Sequence, residues 1–225
     1  MPSPAGAVVT RAAGGGWLLE GGLSAAGSFL AWLGRLLDRT PDELGRLAGE
    51  SPPGARGVIA VPWLDGARAP WWRDDARAGF VGLGAAHGPS DLARAVVESV
   101  AWDVVRVMEV VTVGRLGGST AEGVTLGGAG SGLPVWVGVL TAVLGIPATR
   151  HRSGEAASAG AALLAGRALG MGLTLDRLDP VQAVIEPDAA AVEVYRELRP
   201  QMDHVASAVI AATDSFPGSG RDPVA

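Results

Sequence analysis

The sequence predicts an α/β chain: a β-α-β unit with several helices packed against it. Three observations carry this. Residues 124–170 read strand, helix, strand, helix, which implies a parallel pair of strands joined by a crossover helix. From Ser90 to about Val113, Leu92, Val96, Val100, Val104 and Met108 recur at helical spacing and mark a long helix with one apolar face. The chain has 225 residues, 48% hydrophobic and 18% charged, enough to bury one sizeable core.

The elements follow in order. Residues 1–16 are small and glycine-rich up to Gly14-Gly15-Gly16 and predict a flexible lead-in. Ser24 is a plausible N-cap for a helix carrying Phe29, Leu30, Trp32, Leu33, Leu36 and Leu37. Thr40-Pro41-Asp42-Glu43 opens a second short helix, with a cap residue followed by proline. Ser51-Pro52-Pro53-Gly54 is a loop, and Val58 to Val61 is a short buried strand. Asp65 to Pro89 reads as irregular, and Ser90 then caps the long helix. Val124–Leu126 is a strand ending at Gly127-Gly128. The helix from Leu133 to Leu144 stops at Gly145, and Ile146 to Arg150 is the next strand. Helices over Glu155–Leu169 and near Ala189–Ala212 complete the pattern. Residues 17–212 form the predicted domain, and 213–225 a flexible tail.

Composition excludes several functions. There is no cysteine, so disulfides, thiol nucleophiles and Cys-based metal sites are out. Net charge is −5, and no basic stripe with interleaved aromatics suggests a nucleic-acid partner. No run approaches the ~18 apolar residues of a membrane helix, and Met1-Pro2-Ser3-Pro4-Ala5 lacks the features of a signal peptide. The expectation is a cytoplasmic protein with no membrane or nucleic-acid partner.

The candidate binding loop is Gly127-Gly128-Ala129-Gly130-Ser131, between a strand and a helix. Glycines there let a ligand approach the backbone, and the helix that follows offers unpaired N–H groups and a positive dipole end. A tight turn with nothing bound accounts for the same residues. The glycine spacing does not fit G-x-G-x-x-G, and a Walker A loop is excluded because the chain has no lysine. In Glu155 to Ala162, small residues at helical spacing point to close packing at Ala156, Ala159 and Ala162, whereas Gly160 suits either packing or ligand access. In Gly66-Ala67-Arg68-Ala69-Pro70, Arg68 could pair with an anion or fix its loop. Trp63, Trp71 and Trp72 read as packing residues. Asp74 and Asp75 suit a solvated turn, and Arg94 and Glu98 an ordinary i, i+4 pair. His87, His151 and His204 are scattered. No catalytic set and no metal-ligand set stands out.

Taken together these segments resemble the C-terminal half of the FGGY carbohydrate kinases. The run from Ala78 through Gly82-Leu83 to Asp91, Arg94 and Glu98 is similar to the family's spaced helix signature. Gly66–Pro70 is similar to its Gly-Glu-Arg-x-Pro segment, Gly127–Trp136 to its adenosine loop and following helix, and Glu155–Ala162 to its Glu-Ala-x-x-x-Gly-Ala-Ala motif. The resemblance spans roughly Trp17 to Gly172. It implies an actin-like ATPase (ribonuclease H-like) C-terminal domain, incomplete, and ATP or ADP with Mg²⁺ as cofactor. It further implies adenosine contacts from Gly127–Ser131 and Gly160, and Arg68 on the substrate side. Family members phosphorylate a sugar, polyol or sugar-acid hydroxyl. The wording from Trp72 to Ala78 is somewhat more similar to gluconate kinases than to xylulose kinases.

The resemblance also implies that the sugar-binding domain, with the aspartate acting as base, lies on another segment. The chain alone is then expected to be inactive, with a separate N-terminal kinase half or a second copy as partner. The alternative is a non-catalytic nucleotide- or partner-binding module derived from a decayed kinase. Departures fall at polar positions: the family's glutamate is Ala67, a frequent basic residue of the loop is Gly130, a frequent glutamine is Gly138 and a frequent aspartate is Ala142.

Overall fold

The computed structural model describes residues 6–113 and 121–213. Strands β1 (Val8–Arg11) and β2 (Trp17–Glu20) pair antiparallel, Val8 opposite Glu20 and Arg11 opposite Trp17. This hairpin occupies the described part of the lead-in expected to be flexible over residues 1–16, of which residues 1–5 lie outside the described residues. The glycines that read as a ragged start form its turn, with Gly15 and Gly16 at positive φ. Helix α1 (Gly27–Leu37) starts after Ala26 with no side-chain cap, so Ser24 is not its N-cap. Helix α2 (Pro41–Glu50) begins with the expected chemistry in full. Thr40 accepts from the Glu43 N–H while the Glu43 carboxylate accepts from the Thr40 N–H at 2.8 Å, a reciprocal cap worth about 1 kcal/mol.

Strand β3 (Ile59–Val61) pairs antiparallel with β4 (Gly79–Val81), a strand lying inside the stretch expected to be irregular. Three residues of β4 are too few to show an alternating pattern. Helix α3 (Pro89–Val113) is the long predicted helix. Ser90 lies within it. The helix start is instead held by the Asp91 carboxylate, which accepts from the Gly88 N–H at 3.0 Å.

Strand β5 (Val124–Leu126), helix α4 (Pro134–Leu144) and strand β6 (Ala148–His151) form the β-α-β unit, with β5 and β6 parallel. Gly145 ends α4 at φ 68°. Helix α5 (Ala156–Ala168) follows, then the single turn α6 (Leu175–Leu178) and strand β7 (Val181–Ile185), neither anticipated from sequence. β7 pairs antiparallel with β6 and makes the sheet order β5-β6-β7. Helix α7 (Ala189–Thr213) completes the described chain. The expected tail lies outside the described residues from position 214 on.

The core gathers around α3. Phe29 and Leu33 of α1, Leu44 of α2, Val139 and Leu140 of α4, and Tyr195 and Met202 of α7 close on Val96, Ala101 and Trp102. Trp63 is fully buried in a smaller cluster, and Trp71 meets it edge-on at 5.8 Å. Those two tryptophans are packing residues as read, whereas Trp72 is exposed and donates its indole N–H to the Gly6 carbonyl at 2.7 Å.

Arg94 and Glu98 form the expected i, i+4 pair, and both are buried. Glu98 Oε1 accepts from Arg94 Nε at 2.7 Å, from the Tyr195 hydroxyl at 2.7 Å and from the Gly54 N–H at 2.9 Å. Arg94 Nη2 donates to the Tyr195 oxygen at 2.6 Å. Five residues on, buried Asp103 accepts from Trp63 Nε1 at 3.0 Å and from Arg106 Nη1 at 2.8 Å. Burial pushes the Glu98 and Asp103 carboxyls above their ordinary values, with the neighbouring arginines pulling back. Because each charge is partnered, α3 can carry this polar stripe through the core.

Candidate functional site

The strand-to-helix crossover positions the site. β5 ends at Leu126, and the chain turns through Gly127 and Gly128 into a short 3-10 turn, Ala129–Gly132, before α4. Gly128 has φ 83°, a left-handed conformation that glycine adopts without strain. The loop is internally braced: the Gly128 N–H donates to the Gly154 carbonyl at 2.6 Å, and Ser131 returns both its N–H, at 3.0 Å, and its hydroxyl, at 2.7 Å, to the Gly128 carbonyl. Those two amides are already engaged, so the loop offers a ligand a fixed shape rather than those particular donors. Pro134 at the first position of α4 has no N–H to lose, and no side chain caps that helix.

This loop walls a cavity of about 700 Å³, within the usual range for small-molecule sites. The opposite walls come from Gly27 and Leu30 at the start of α1 and from Val96, Val97 and Val100 of α3, with Trp136 of α4 beside the loop. Asp42 is the one ionisable side chain in this lining. The cavity is apolar on its helical sides and bounded by backbone on the loop side, which suits a flat, largely apolar ring system better than a free anion.

A Cβ added at Gly27 or Gly132 would meet no atom within 4 Å, so protein packing does not demand glycine there, whereas the positive φ of Gly128 requires it. At Gly127 a Cβ would lie 3.1 Å from that of Ala156, tighter than ordinary contact, so close packing favours glycine there. Gly27 and Gly132, both in the cavity lining and neither needed for packing, leave room for something that is not protein.

Of the sequence-predicted site residues, the structure brings Gly127, Ala129, Gly130 and Ser131 together on this wall, with Gly128 at the adjoining turn. Gly160 lies along α5, outside the lining. Arg68 is exposed in its loop beside Gly22, away from the cavity. The expected small-residue packing of α5 is partial: Ala159 is buried and Ala162 half-buried, while Ala156 is exposed and touches the loop at Gly127. Arg73 clamps Asp75 through Nε and Nη2 at 2.8 and 2.9 Å, which ties down the turn assigned to Asp74 and Asp75.

Sequence reasoning missed Gly27, Leu30 and Asp42 as lining residues. Gly27 carried a signal, a glycine where a helix begins. Val96 and Val100 belong to the expected apolar face of α3, but periodicity alone does not separate a face that packs from one that lines a cavity. Among the described residues no group of three acidic or histidine side chains is placed to hold a metal ion, and no helix is long and apolar enough to cross a membrane.

Comparison with known proteins agrees with this architecture. The profile described as the FGGY family of carbohydrate kinases, C-terminal domain, matches residues 2–169. A glycerol kinase of Cereibacter sphaeroides is 34% identical over 158 residues, covering 69% of this chain and 31% of its own. The ligand-bound xylulose kinase of Lactobacillus acidophilus superimposes with a TM-score of 0.86 at 23% identity, covering 96% of this chain and 45% of that one. Plasmodium falciparum glycerol kinase with ADP gives a TM-score of 0.77 at 24% identity, over 91% of this chain and 42% of that one. The fold is the actin-like ATPase fold of these kinases. The chain spans about a third of the length of curated relatives such as the Cereibacter enzyme. Its sequence and its fold agree: the chain belongs to the FGGY family of carbohydrate kinases and corresponds to the family's C-terminal domain.

Proposed function

We propose that the 700 Å³ cavity binds the adenosine end of ATP or ADP. On this reading the chain is the nucleotide-binding part of a cytoplasmic ATP-dependent kinase acting on a hydroxyl of a sugar, polyol or sugar acid of the gluconate or xylulose class. The observation that carries it is the pairing of a braced glycine loop with an apolar wall, at glycines that protein packing leaves open. The magnesium nucleotide would supply the transferable phosphoryl group. Val96, Val97, Val100 and Trp136 exclude water from the base, Gly27 and Gly132 leave it room, and the backbone of Gly127–Ser131 fixes its orientation. Phosphoryl transfer depends on positioning and on charge stabilisation around the phosphates, and Asp42 is the only ionisable side chain in this lining. The family resemblance assigns the catalytic base and the phosphate-binding groups to a second segment, and on this reading the chain alone binds nucleotide without turning it over.

A second reading, a nucleotide- or partner-binding module without catalysis, is favoured by one observation. Ala67 and Ala142, where the resemblance leads one to expect carboxylates, are both buried among apolar side chains. The discriminating experiment measures ATP turnover with gluconate, xylulose and glycerol, by the chain alone and after co-expression with the N-terminal part of a related kinase. Turnover only in the co-expressed pair supports the kinase. Nucleotide binding with no turnover in the pair supports the module, and turnover by the chain alone contradicts the assignment of the base to another segment.

A further inference from the structure

A second cavity, of about 320 Å³, shares Ala129, Ser131 and Gly132 with the first, and its chemistry is the opposite. Arg150, His151, Arg152 and Gln182 line it, with Glu155 as its one acidic side chain. In a regular strand Arg150 and His151 would point to opposite faces. Here the pairing with β7 slips: Arg150 faces Ala183 and His151 faces Val181, which leaves Gln182 unopposed. Such a bulge re-aims side chains, and all three residues at the slip line the same cavity.

The arginines are not spent on structure. Arg150 Nε is buried and has no hydrogen-bond partner, and among the described residues neither Arg150 nor Arg152 forms an ion pair. A buried N–H left unpaired is costly, so a missing acceptor is the physical reading. His151 Nδ1 lies 2.5 Å from the Asp179 carbonyl, which can only accept. The proton therefore sits on Nδ1, and Nε2 is left available to a ligand hydroxyl.

We propose that this cavity binds a small phosphomonoester bearing hydroxyl groups. The two guanidiniums supply the planar, forked donors that phosphate oxygens accept. Glu155 and Gln182 supply partners for hydroxyls on the organic part, which inorganic phosphate lacks. Because the Ala129–Gly132 turn walls both cavities, the ester sits beside the first cavity without occupying it. The site stands whether or not the first cavity holds adenosine.

The test is titration calorimetry of the full chain at about 0.15 M chloride, with glycerol 3-phosphate, inorganic phosphate and ADP as separate probes. The ester should bind more tightly than phosphate, and Arg150→Gln and Arg152→Gln should each weaken it about tenfold or more while ADP binding shifts less than about twofold. Arg152 is exposed, so its variant keeps the test valid even if Arg150→Gln fails to fold. Glu155→Gln should reduce the preference for ester over phosphate. No ester binding to the folded wild-type chain, equal binding to wild type and Arg152→Gln, or loss of ADP and ester together in Arg152→Gln would each overturn the proposal. The last result would mean that the arginines serve the phosphates of the nucleotide.

Discussion

The Tyr195 hydroxyl of α7 donates to Glu98 of α3 at 2.7 Å, joining two helices 97 positions apart in sequence. The same oxygen accepts from Arg94 Nη2, and burial pushes the tyrosine well above its ordinary pKa, so it remains a neutral donor at any physiological pH. α7 is thereby fastened to the helix that carries the family signature.

Removing that hydroxyl tests the fastening. Tyr195→Phe keeps the ring against Trp102 but strips one donor from Glu98 and leaves Arg94 Nη2 without its acceptor. We expect a loss of about 1–3 kcal/mol, read as a lower urea midpoint, with ADP affinity unchanged. Wild-type stability in the variant would mean that the network is replaced by water.

Acid stability should depend on Asp91. The Gly88 N–H, and next the Ser51 hydroxyl at 2.7 Å, hold its carboxyl below the usual 3.8. The unfolded chain takes up this proton first as pH falls. The stability contributed by the ionised carboxylate is therefore present above about 3.8 and is lost as pH falls through the folded value. Asp91→Asn should lower the melting temperature at neutral pH and flatten its decline below the usual aspartate range. Glu98 and Asp103 shift the opposite way and are common to both proteins, so the difference between the two curves isolates Asp91. Parallel curves would contradict the assignment.

Gly82, the glycine of the signature turn, has φ 83°, and a Cβ there would collide with the Gly57 carbonyl oxygen. Gly82→Ala carries the left-handed penalty of about 1–2 kcal/mol before any relief of that collision. The total should exceed 2 kcal/mol, about the level of the more damaging point substitutions. A denaturation midpoint within error of wild type would show that the turn is not constrained.

Much of this structure could be read from the sequence where local chemistry and long-range packing agree. Thr40-Pro41-Asp42-Glu43 specifies its own cap, Gly145 its own stop, and the α3 periodicity spans enough turns to be unmistakable. β4 and α6 are too short to carry a period, and β7 is held by pairing with β6 rather than by its own pattern. The hairpin β1–β2 is hidden by its glycines, which read as disorder until a partner strand is present. At the site, the loop was visible because glycine is a local signal. The cavity behind it was not, because Gly27, Leu30 and Val97 become neighbours only in three dimensions. The buried state of Arg94 and Glu98 was hidden for the same reason: nothing in i, i+4 spacing reveals Tyr195 a hundred residues away.

The most direct test of nucleotide binding follows the Trp136 indole resonance while ADP is titrated into wild type and Gly27→Leu. A leucine at Gly27 meets no protein atom at its Cβ and stands at the helix start, so stability should change by less than about 1 kcal/mol. The side chain would fill the space assigned to adenosine. Wild type should show a saturable shift of Trp136, and the variant a loss of affinity of at least about tenfold, ~1.4 kcal/mol. No shift at millimolar ADP, or equal affinity in the two proteins, would contradict nucleotide binding in this cavity.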